Sequence, residues 1–161
     1  MTDILRNRWL TLLAALVLGG SFVYAALSHK ITDPPDFSKA VLNYKLVPWY
    51  AVNMVAIFLP WVELLGGIAV ISGLGRRGGA LALFFLCAVF IAALSYNLYR
   101  GHPTICGCFT TFAEGEKWTP EYKLQKMRTE ILLDVGLLIL AAQVLYSSVA
   151  AKRPYSSPGH A

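Results

Sequence analysis

An all-α integral membrane protein, a bundle of four transmembrane helices with short amphipathic surface helices in its two outer loops, is the fold class this sequence predicts. Three observations predict it. Of 161 residues, 57% are apolar and only 14% are charged, which lies outside the composition of soluble domains. Four apolar stretches, 9–27, 50–74, 79–99 and 131–150, each come near or exceed the roughly 20 helical residues that cross a hydrocarbon core. The basic residues stand at the ends of these stretches, often in pairs, as lipid-facing topology requires. The net charge of +5 therefore points to membrane lipid as the surrounding partner and away from nucleic acid. One domain, 1–151, is expected, followed by a tail, 152–161, whose Pro, Gly and Ser content predicts a disordered cytoplasmic segment.

Charge density sets the expected orientation. Arg6 and Arg8, Arg76 and Arg77, and Lys152 and Arg153 mark three short segments that alternate crossing puts on one side, with Asp3 as their only acid. The loops after the first and third spans are longer, and their acids nearly cancel their bases. Raw Lys plus Arg runs the other way, 6 inside against 8 outside, so density rather than number places both termini in the cytoplasm and the longer loops in the periplasm or cell exterior. Arg6 and Arg8 ahead of an apolar run ending near Tyr24-Ala25-Ala26 imitate a secretory signal. The run is longer than a typical signal core, and three further spans call for a fourth to complete a bundle, so it is expected to be a retained span.

Along the chain, Gly19-Gly20 allows a neighbouring helix to approach the first span closely. In the next loop Asp33-Pro34-Pro35-Asp36 is expected to forbid helix and start a turn. Phe37, Ala40, Val41 and Tyr44 then recur at helical spacing, predicting a short amphipathic surface helix that either lids the cysteine loop or simply covers the surface. The second span holds an acid deep in the membrane, Glu63, three residues after Pro60. A carboxylate there costs at least about 2.5 kcal/mol, so Glu63 should face the bundle interior, as a functional group or as a helix-packing hydrogen bond. Gly73, Gly75, Gly78 and Gly79 flank Arg76-Arg77 in a tight turn that makes the second and third spans antiparallel neighbours. Cys87 is mid-span and reads as a small apolar residue. Thr119-Pro120-Glu121 has the form of a helix start, and a surface helix is expected to feed into the fourth span, where Asp134 is a candidate proton acceptor or partner of Arg100 or Arg128.

The chemistry-bearing stretch is Cys106-Gly107-Cys108, just beyond the third span. Its α-carbons are at most about 7 Å apart, so the cysteines reach each other only if the chain bends at Gly107. Such a bridge is strained, easily reduced and suited to exchange; the plainer alternative is two reduced loop cysteines or half a metal site. Arg100 and His102 precede the pair; positive charge near a thiol favours the thiolate, and His102 is a candidate proton shuttle. Either is equally suited to anchoring at the headgroups. His102, Cys106 and Cys108 supply three soft ligands with no evident fourth, so no metal is expected.

The order of these features resembles the DoxX-like superfamily and, within it, the methylamine-utilisation MauE type of redox-associated membrane protein. The matching pieces are Lys30 to Pro34 with Phe37, Ala40 and Tyr44-x-Leu46-Val47-Pro48, then Leu59-Pro60-Trp61-Val62-Glu63-Leu64, then Asn97-Leu98-x-Arg100-Gly101 leading to Cys106-Gly107-Cys108-Phe109. The resemblance implies a four-helix bundle whose important positions are Cys106, Cys108, Arg100 and Glu63. It implies thiol-disulfide chemistry on the periplasmic face, serving a disulfide-containing periplasmic partner such as the methylamine dehydrogenase small subunit. Relatives in the wider superfamily are associated with quinone-linked sulfur oxidation, which makes a quinone the candidate cofactor, although no pattern here specifies its site. The expectation is a thiol-disulfide redox protein using Cys106, Cys108, Arg100, His102 and Glu63. The alternative is a non-catalytic membrane anchor or chaperone subunit of a periplasmic oxidoreductase complex.

Overall fold

The computed structural model describes residues 8–107 and 110–150. Cys108, the lead before Arg8 and the tail expected to be disordered lie outside the described residues. Among the described residues every regular element is helical: α1 Arg8–Ala25, a π-helical turn Ala26–Lys30, α2 Pro34–Asn43, α3 Trp49–Ser72, α4 Arg76–Tyr99, α5 Phe112–Glu116 and α6 Pro120–Ala150. Helices α1, α3, α4 and α6 are long and apolar enough to cross a membrane, and this is a multi-pass membrane protein. At 31 residues α6 is about 46 Å long, more than a hydrocarbon core of about 30 Å, so its first turns project past the bundle as the surface extension expected there.

The four long helices close a ring in which α1 packs on α3, α3 on α4, α4 on α6 and α6 back on α1. Glycines set the closest crossings. A Cβ on Gly67 would fall 2.8 Å from the Gly19 carbonyl, and one on Gly19 2.7 Å from the Gly67 carbonyl, so α1 and α3 meet backbone to backbone. The adjacent Gly66 does the same for α4, since a Cβ on Gly79 would fall 2.8 Å from the Gly66 carbonyl. Gly20 faces open space, so Gly19 alone of the pair makes the approach. At the Gly73–Gly75 turn, Arg77 donates to the carbonyls of Ser148 and Val149, tying the last turn of α6 to the start of α4. The interior of this half is mainly apolar, with Leu18, Val70, Leu83, Ala141 and Val144 buried and Cys87 in the same core, while Thr11 and the Gln143 Nε2 add buried polar groups.

At the opposite end two short helices cover the bundle. The sequence reading that Asp33-Pro34-Pro35-Asp36 forbids helix is overturned: Pro34 and Pro35 are the first two residues of α2, where a missing N–H costs nothing, and Asp33 caps it by accepting from the Asp36 N–H. Phe37, Ala40 and Val41 turn inward against Val52 and Ala56 of α3, as the periodicity predicted. Between the cysteine loop and Pro120 stands α5, held by a Thr111–Glu114 capping box. Asp36 reaches across from α2 to accept from the N–H groups of Phe112, at 2.6 Å, and Ala113, at 3.2 Å. One carboxylate thus clamps the two loops together at the positive end of α5.

Candidate functional site

The cysteine loop sits on this cover. Gly107 has φ +70°, the left-handed bend foreseen for it. A Cβ there would meet Ala40 and Phe37 of α2 at 3.2 and 3.4 Å, so α2 lies directly on the loop rather than beside it. Two groups hold the Cys106 backbone. The Tyr44 hydroxyl donates to its carbonyl at 3.3 Å, and its N–H donates to the Glu130 carboxyl of α6. Cys106 itself is buried, packed with Tyr44, Leu94 and Met127.

The other residues singled out from sequence divide into two groups. Arg100 is exposed, its guanidinium 5.3 Å from the centre of the Tyr96 ring. The His102 ring places Nε2 3.2 Å from the Asn43 carbonyl at the end of α2. His102 thus meets the end of α2, while Arg100 lies against the last turn of its own helix. Among the described residues no three His, Cys, Asp or Glu side chains gather as a metal-holding group.

Glu63 points into the bundle, as its position demanded, and meets a partner the sequence reading did not name. Lys30 Nζ lies 2.6 and 2.7 Å from the two Glu63 carboxylate oxygens, with the lysine 1% and the glutamate 0% exposed. The π turn produces this. Ile31 N–H reaches back five residues to the Ala26 carbonyl, and that extra residue ends α1 with Lys30 buried against α3 rather than on the surface. The ammonium also lies 5.0 Å from the Phe37 ring and 5.3 Å from the Phe90 ring, which screen the pair from lipid. Asp134 was read as a candidate proton acceptor or as a partner of Arg100 or Arg128, and neither arginine is its neighbour. It instead lines the same small cavity as Lys30 and Glu63, because it falls on the inward face of α6 with Met127 and Glu130.

The signals for Lys30 were indirect: a buried acid needs a cation, and the motif resembling the family begins at this lysine. Between the two sites lies an apolar cavity of about 170 Å³ lined by Phe37, Val41, Tyr44, Val55, Phe90 and Cys106, among others.

The family model for methylamine utilisation protein MauE matches residues 7–147. The methylamine utilization protein MauE of Paracoccus denitrificans is 38% identical over 89 residues, 55% of this chain and 47% of that protein. That of Methylophilus methylotrophus is 36% identical over 99 residues, 61% of this chain and 50% of that protein. The chain spans about half the length of the curated relatives it matches. No solved structure matches it. Since the family match runs from before α1 into the last turn of α6 and takes in the Lys30–Glu63 pair and the cysteine loop alike, the chain belongs to the MauE family.

Proposed function

We propose that this protein serves methylamine utilisation, the process its relatives are named for, as a thiol-disulfide redox protein that oxidises or matures a periplasmic partner of the methylamine dehydrogenase kind. The cysteine loop then faces the periplasm of a bacterial inner membrane, with both termini cytoplasmic. The observation that carries this reading is the cradle around Cys106: carbonyl, N–H and the following glycine are all held by the bundle and α2. A strained two-cysteine ring exchanges readily when its backbone is fixed, because opening the ring relieves strain that the loop cannot relax by moving.

The exchange balances without a further reactant. A partner thiolate attacks Cys108, forming a mixed disulfide and releasing the Cys106 sulfur as thiolate; a second partner thiolate then displaces Cys108. The partner gains a disulfide, the pair becomes a dithiol, and the two protons pass from partner to protein. Cys108 is assigned the first encounter because Cys106 is 4% exposed. For the quinone that the family resemblance implies, the apolar cavity beside Cys106 is a fitting seat, with Phe37, Tyr44 and Phe90 to hold a ring. A quinone bound there would supply a two-electron, two-proton acceptor for the dithiol.

The deciding experiment traps thiols in intact cells with a membrane-impermeant alkylating reagent, before and after mild reduction. Labelling of the pair only after reduction is expected. Mixed with the partner in its disulfide form, Cys106→Ser should accumulate a mixed disulfide, because the Cys108 thiolate opens the partner's disulfide and no Cys106 remains to resolve it, whereas Cys108→Ser should not. If replacing both cysteines by serine leaves partner maturation intact, the redox reading fails and the protein is an anchor or chaperone.

A further inference from the structure

We propose that Lys30, Glu63 and Asp134 form an intramembrane proton-binding site, with Asp134 the group that carries the proton. The Lys30 ammonium meets both oxygens of the Glu63 carboxylate. Asp134 is 4% exposed, and its Oδ2 is buried with no hydrogen-bond partner. It lines the same cavity of about 10 Å³, roughly the room one water needs. The rest of that lining, including Ser21, Phe22, Phe90 and Leu137, brings no charge. Among the described residues, the titratable groups near Asp134 are Lys30 from the π turn, Glu63 from α3 and Glu130 from its own helix. Helix α4 brings the buried Cys87 thiol one turn from the lining residue Phe90, and the part of α1 that lines the cavity brings no titratable group.

Two carboxylates against one ammonium would leave a negative charge uncompensated in a dry interior, at a cost of at least about 2.5 kcal/mol on insertion scales. One proton removes that cost and turns the orphaned oxygen into a donor.

Access to this proton is one-sided. Glu130 lies one turn from Asp134 on the buried face of α6 and ends at the Cys106 N–H. In the other direction Leu18, Val70, Leu83, Ala141 and Val144 are buried, and the next buried polar group on α6, Gln143, stands nine residues and about 13 Å of helix from Asp134, too far to take its proton directly. The site therefore exchanges with the cysteine-loop end alone, whatever chemistry the cysteines perform.

The test is infrared spectroscopy of the full chain in lipid nanodiscs at neutral pH, following the carbonyl stretch of protonated carboxylic acids. One such buried band is expected, absent in Asp134→Asn. In Lys30→Met a second should appear, because Glu63 then also takes a proton. Glu130→Gln should keep the band but slow its shift in heavy water several-fold. A wild-type protein without the band overturns the proposal, as does a band that survives Asp134→Asn. Exchange that Glu130→Gln leaves unchanged overturns the one-sided route. Should Asp134→Asn fail to fold, the wild-type and Lys30→Met spectra still decide, since failure of Lys30→Met to raise the protonated population removes the charge balance on which the site rests.

Discussion

Lys30 and Glu63 are each the other's reason for being buried. A carboxylate and an ammonium inside a bundle are tolerated only as a pair, so removing one partner leaves a charge with no compensation. Lys30→Met or Glu63→Leu alone should destabilise the protein by about 3–5 kcal/mol, read as a lower unfolding temperature in detergent micelles. The double variant should recover much of that loss, because two apolar side chains need no partner. Additive losses in the double variant would show that the pair is not coupled. Tyr44 acts at the same scale. Its hydroxyl is a single neutral hydrogen bond to the Cys106 carbonyl, so Tyr44→Phe should cost only about 1 kcal/mol. The larger consequence of that change should be a looser cysteine loop, seen as faster amide exchange in residues 104–107.

At the level of elements, α1 and α3 approach through Gly19 and Gly67, each closing on the other's carbonyl. Gly67→Ala forces the helices apart and should destabilise by about 1–3 kcal/mol, as overpacking does. Gly20→Ala meets nothing and should leave the unfolding temperature unchanged or slightly raised, which makes it the control. The same contrast shows what the sequence held and what it hid: Gly19-Gly20 announced a close crossing, but which glycine made it depended on how α1 is rotated. The two cover helices meet through Asp36, whose carboxylate takes the first N–H groups of α5. Asp36→Ala should unclip them at a cost of about 1 kcal/mol, with faster amide exchange at Phe112 and Ala113 while the four spans stay protected. That clamp was invisible in the sequence because its donor and acceptor lie on different loops.

The whole molecule is a ring of four spanning helices whose buried charged groups, Lys30, Glu63, Glu130 and Asp134, lie toward the cysteine-loop end. The single crossing made by α4 puts the Gly73–Gly75 turn on the opposite face from the cysteine loop. Single cysteines introduced at Ser72 and at Tyr99, in a chain lacking its native cysteines, should therefore label from opposite sides of a sealed vesicle, with Tyr99 reached from the periplasmic side. Labelling of both from one side would reverse the order of the spans.

Composition and apolar length determined the class of protein, the number of spans, the antiparallel turn at Arg76-Arg77, the amphipathic α2 and the bend at Gly107, because each depends on residues close in the chain. Glu63 facing inward also followed from one position alone, since a lone acid in hydrocarbon has nowhere else to go. What it faces did not. Lys30 comes inward through a single π turn, Asp134 joins it from α6, and Glu130 reaches the Cys106 backbone. The physical reason is that a buried charge is satisfied in three dimensions. Partners 33 residues apart are brought together by helix rotation and closure of the ring, which only the folded bundle decides.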